Sequence, residues 1–122
     1  MWALDAIVAY GDKSTARNLA DSLRDVFRSV QVVNSADELR SAIAQKPALL
    51  VITDLETIDF KEVAQLQREF GLAIVCTHRI PDEAMWAEAL GHGAIDCCHT
   101  SDVNAIIQAV SRNIVSTRLH AA

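Results

Sequence analysis

Leu49-Leu50-Val51-Ile52-Thr53-Asp54-Leu55 is the stretch whose reading decides the fold. From Leu49 to Thr53 both alternating sets of positions are apolar or nearly so, the pattern of a strand covered on both faces. It ends on a carboxylate. Upstream, Pro47 stops an amphipathic segment carrying Leu39 and Ile43. That segment opens on Ser35-Ala36-Asp37-Glu38, a capping box in which the serine accepts first-turn amides and the glutamate reaches back. Downstream, Asp59 caps a helix with Val63, Leu66 and Phe70 on one side, closed by Gly71. A doubly buried strand between two amphipathic helices belongs to a parallel sheet with helices on both faces.

The same alternation extends to both ends of the chain. Ala6 to Ala9 reads as a first strand ending near Gly11. Ala16, Leu19, Ala20, Leu23, Val26 and Phe27 repeat at helical spacing over residues 14–27. Val30 to Val33 is a short second strand and Leu72 to Thr77 a fourth. Pro81 to Gly91 is a helix, Ala94 to Cys98 a fifth strand, and Val103 to Val115 a final helix with Ile106, Ile107, Val110 and Ile114 on one stripe. Five strand-then-helix units with right-handed crossovers predict an α/β, doubly wound, five-stranded parallel sheet ordered 2-1-3-4-5. Two helices should cover one face and three the other. One domain is expected over residues 1–118, with 119–122 as a C-terminal tail.

The 122 residues suffice for one hydrophobic core without metal or disulfides. With 51% hydrophobic and 22% charged residues, the composition is that of a globular chain. A net charge of −5 with eleven scattered basic residues argues against direct nucleic-acid binding. Asp5 interrupts the apolar N-terminus, which also lacks a basic start, so it does not read as a signal peptide. No apolar run is long enough to span a bilayer. The cysteines number three, two of them adjacent, and the expectation is free thiols in a reducing cytoplasm.

In such sheets ligands bind beyond the carboxyl ends of the strands. That rule selects Gly11 and Asp12; Asp54, Leu55 and Glu56; Thr77 and His78; and His99, Thr100 and Ser101. Carboxylates converging there call for a hard cation such as Mg²⁺, with Asp12, Asp54 and Glu56 as candidate ligands for a weakly held ion or none. Because each carboxylate makes the other harder to ionise, at least one of Asp12 and Asp54 is expected to have a raised pKa. The plainer alternatives are that Asp54 caps the turn after its strand and that Asp12 caps the following helix. His78 and His99 with Cys97 and Cys98 do not make a metal site, since successive strand residues point to opposite faces. Gly11 stands alone, without the glycine-rich loop that a flavodoxin-like small-ligand site needs.

Several local strings resemble the receiver domain of two-component response regulators over about residues 5–117. Val51-Ile52-Thr53-Asp54-Leu55 is similar to the strand ending in the phospho-accepting aspartate. Counting from Pro47 would put Thr53 there, but the Asp-Leu context and the strand length select Asp54. Ile74-Val75-Cys76-Thr77 resembles the strand ending in the switch hydroxyl. Ala89-Leu90-Gly91-His92-Gly93-Ala94-Ile95-Asp96 is similar to the segment before the last strand, and Ser14-Thr15-Ala16-Arg17 has the first-helix arginine at the usual offset. Against that pattern, the acidic pair becomes Gly11 and Asp12, and the lysine after the fifth strand becomes Thr100. The aromatic switch partner becomes Cys97, and the small residue after the switch threonine becomes His78, at the pocket mouth.

The resemblance implies a signalling module of a phosphorelay system rather than an enzyme. With its phosphoryl chemistry degenerate, it would act through contacts with a histidine kinase, an output protein or a second copy of itself. The alternatives are a true receiver accepting a phosphoryl group on Asp54 with Mg²⁺, and a small-ligand-binding flavodoxin-like domain. Trp86, four residues before Leu90, either packs in the core or marks a partner face on the fourth helix.

Overall fold

The structure is a computed structural model that describes residues 2–48 and 50–115. Leu49, the expected domain end at 118 and the tail 119–122 lie outside the described residues. In chain order the elements are β1 (Trp2–Ala9), α1 (Lys13–Leu23), β2 (Phe27–Val33), α2 (Ala36–Gln45), β3 (Leu50–Asp54), α3 (Phe60–Phe70), β4 (Ala73–His78), α4 (Glu83–Gly91), β5 (Asp96–His99) and α5 (Val103–Val110), continued by a π-helical turn, Ser111–Val115.

All strand pairs are parallel, and the sheet order is β2-β1-β3-β4-β5, as the alternating pattern predicts. The faces divide as expected. Ala6, Val8, Ile52 and Val75 pack against Leu19 and Leu23 of α1 and Ile106 and Val110 of α5. Ile7, Val51 and Ile74 pack against Leu39 of α2, Val63 and Leu66 of α3 and Ala89 of α4. Each large side chain removed from water in this way contributes about 1.5–3 kcal/mol. The core therefore forms as two layers divided by the sheet.

The caps follow their sequence signals. Ser35 Oγ accepts from Glu38 N at 3.1 Å, while Glu38 Oε1 reaches back to Asn34 N at 3.0 Å. Gly71 ends α3 with φ 64°, a conformation that a Cβ would strain. Of the boundaries that differ from expectation, those near Asp5 and Phe27 have a visible cause. β1 begins at Trp2 because Asp5 lies against Arg28 and Ser29 of β2 (2.8 Å and 2.7 Å), so its charge is neutralised inside the strand pair. The Arg28 hydrogen bonds hold the Asp5 carboxyl well below the usual carboxylate range. Phe27, which continues the helical spacing of α1, instead opens β2 and is fully buried.

Candidate functional site

The register brings the carboxyl ends of the central strands level. Ala9 pairs with Thr53, Asp54 with Thr77, and His78 with His99. Beyond those ends lies a shallow pocket of about 120 Å³ lined by Asp12, Thr15, Asp54, Glu56, His78, Arg79 and Thr100. Five of the residues singled out from sequence thus meet in one place, Thr100 among them with a neutral hydroxyl.

Asp12 holds both roles that the sequence left open. It lines the pocket, and it is also the N-cap of α1, accepting from Ser14 N at 3.0 Å and from Thr15 Oγ1 at 3.0 Å. The Thr15 side chain and the first-turn amides lower its pKa. At Asp12 the shift thus runs opposite to the rise expected from carboxylate crowding, because hydrogen bonds to the charged form outweigh desolvation. Asp54 Oδ1 accepts from Thr57 N at 2.9 Å, and Thr57 Oγ1 accepts from Gly11 N at 2.7 Å. Thr57 thereby ties the loop after β3 to the loop after β1. Gly11 permits that approach, since a Cβ there would meet Thr57 Oγ1 at 3.2 Å.

Glu56 is held by Arg79, Oε1 lying 2.6 Å from Nη2 and 2.9 Å from Nε. Glu56 is thus paired, and Asp12 is engaged by the first turn of α1. Among the described residues no group of three or more His, Cys, Asp or Glu side chains is arranged to hold a metal. Arg79 was not singled out from sequence, because a loop arginine carries no periodic signal. His78 Nδ1 accepts from Ile80 N and His99 Nδ1 from Ser101 N, both at 3.0 Å. In the neutral ring this leaves the proton on Nε2.

Thr77 is fully buried. Its register partner is Cys98, whereas Cys97 pairs with Cys76. Thr77 and Cys97 therefore face opposite sides of the sheet, and the structure does not bring this switch-like pair together. The side chain that does meet Thr77 is Tyr10, the residue just after β1. Its hydroxyl lies 2.5 Å from Thr77 Oγ1, and Thr77 Oγ1 is 3.3 Å from Thr53 O. Thr77 donates to the carbonyl and accepts from the tyrosine. Tyr10 has no exposed surface, and burial raises its pKa.

Trp86 lies on the surface of α4, 47% exposed, rather than in the core. Its Nε1 donates to Asp96 Oδ1 at 3.1 Å, and Asp96 Oδ2 is 3.9 Å from Arg112 Nη2. Trp86, Leu90, Ile95, Asp96, Arg112 and Asn113 line a cleft between α4, β5 and the end of α5.

The fold as a whole matches a group of solved structures. The signal receiver domain of a putative Luxo repressor protein from Vibrio parahaemolyticus superposes with a TM-score of 0.82 at 13% identity, covering 98% of this chain and 96% of that one. The chain has the receiver fold. A two-component response regulator of the LuxR family from Aurantimonas sp. gives 0.81 at 12% identity, covering 94% and 87%. The RcsB response regulator of Salmonella typhimurium gives 0.77 at 15% identity, covering 90% of this chain but 62% of RcsB. No protein-family model matches the sequence, nor does any curated protein. Within the receiver fold, the pocket lies where sequence reading placed it, and Tyr10, Thr57 and Arg79 are what that reading missed.

Proposed function

We propose that this chain is a receiver-like signalling module that works through protein contacts, with the phosphoryl chemistry of its pocket impaired. The observation that carries the proposal is Thr100 in the same pocket as Asp54, where no lysine stands to neutralise a phosphoryl group. Transfer to a carboxylate depends on charge neutralisation at the transferred group. The cation at the pocket, Arg79, is paired with Glu56, and both side chains are largely exposed, 76% and 53%. Solvent screens such a pair, so it is a weak substitute for an enclosed lysine.

On this proposal the module is not an enzyme. Its partner is a protein, either a kinase or output protein or a second copy of the chain. Trp86 and the cleft beside it supply the contact face, since an indole half-open to solvent is a typical interface anchor. A cytoplasmic setting agrees with three free, buried cysteines. Among the described residues no helix is long and apolar enough to cross a membrane.

The test is complementation of a strain lacking the gene, scored on the phenotype of the deletion. Asp54→Asn should restore function as the natural chain does, and Trp86→Ala should fail to restore it at equal protein level. Loss of function in Asp54→Asn with full function in Trp86→Ala would instead favour a true phospho-receiver.

A further inference from the structure

We propose that Tyr10 is the positioning residue of Thr77, making the switch-like hydroxyl a fixed part of the core instead of a group that answers to the pocket. Thr77 Oγ1 has its hydrogen-bonding directions taken from within, by the Tyr10 hydroxyl and by Thr53 O. Both side chains are fully buried, and no buried side-chain polar atom among the described residues lacks a partner. Thr53 Oγ1 in turn donates to Ala9 O at 2.8 Å, so β1, β3 and β4 are joined by side-chain hydroxyls beneath the pocket floor. Turning Thr77 toward Asp54 would strand the Tyr10 hydroxyl in the core, where an unpaired polar group is strongly disfavoured.

Tyr10 is seated among Ala16, Leu19, Cys98 and Ile106, on the α1 and α5 side of the sheet. Cys97, at the position of the receiver's aromatic partner, belongs to the opposite core layer. The threonine has thus exchanged a partner on β5 for one at the end of β1. A change of charge at Asp54 would not be carried by Thr77 to the face that includes Trp86. This inference deepens the proposed function, in which the contact face works without the pocket's chemistry, and it explains how that face is uncoupled from Asp54.

The test is a double-mutant cycle in the full chain, with Tyr10→Phe, Thr77→Val and the two combined, read by urea unfolding. Each single change should lower the folding equilibrium constant by roughly tenfold. The combined change should cost little more than one alone, giving a coupling of about fivefold or greater. In parallel, NMR couplings should report a single Thr77 χ1 rotamer in the natural chain and altered rotamer populations in Tyr10→Phe. Independent, multiplicative effects, or an unchanged Thr77 rotamer, would overturn the inference. Coupling found together with strong labelling of Asp54 by a small phosphodonor would uphold the lock and overturn the impaired-chemistry proposal, so the two fail separately.

Discussion

Cys76 and Cys98 are enclosed, and desolvation pushes their thiol pKa values to about 12; Cys97 is raised for the same first reason. The thiolate is the reactive form, so native thiols should resist alkylation at neutral pH. Iodoacetamide followed by mass spectrometry should modify none of the three promptly in the native chain and all three in denaturant. Prompt native labelling of any cysteine would show that its stretch of sheet opens locally. Five of the residues that line the pocket were legible because the strand-end rule needs only the ends of apolar runs. Tyr10 was not, because its partner is 67 positions away and an aromatic before a glycine reads as an ordinary strand end. Asp12 was legible in both roles, and only its geometry showed that they coexist.

Elements were read well where caps and periodicity agree. Ser35 with Glu38, Asp59 and Gly71 mark real helix ends, because local hydrogen bonds and a left-handed glycine are encoded within a few residues. Boundaries failed where tertiary contacts decide. Asp5 is a strand residue only because Arg28 and Ser29 stand across from it, and Phe27 leaves its helical register because β2 buries it. Trp86 was undecidable from spacing alone, since a residue four before Leu90 fits a core stripe equally well. Its exposed place on α4 now gives a definite expectation: Trp86→Ala should change unfolding stability by about 1 kcal/mol or less, as surface substitutions do. A core tryptophan would lose about 3–5 kcal/mol. Thermal or urea unfolding of the variant decides between them, and a loss in the higher range would withdraw Trp86 from the contact face.

At the scale of the whole molecule, the fold and the chemistry are separately encoded. Five parallel strands in the order 2-1-3-4-5 need only alternating apolar and amphipathic segments, which the chain keeps throughout. The pocket is built by a few residues at and beyond the strand ends, and there the chain has Thr100 and an exposed Arg79–Glu56 pair, while the fold tolerates both. The receiver fold is therefore retained, and the phosphoryl chemistry is proposed to be weak. The most direct measurement is intact-mass spectrometry after incubation with acetyl phosphate and Mg²⁺, comparing the natural chain with Asp54→Asn and Thr100→Lys. The natural chain should carry little or no added phosphoryl group, with Thr100→Lys raising the labelled fraction. Near-stoichiometric labelling of the natural chain, abolished in Asp54→Asn, would contradict the proposal and restore an ordinary receiver mechanism.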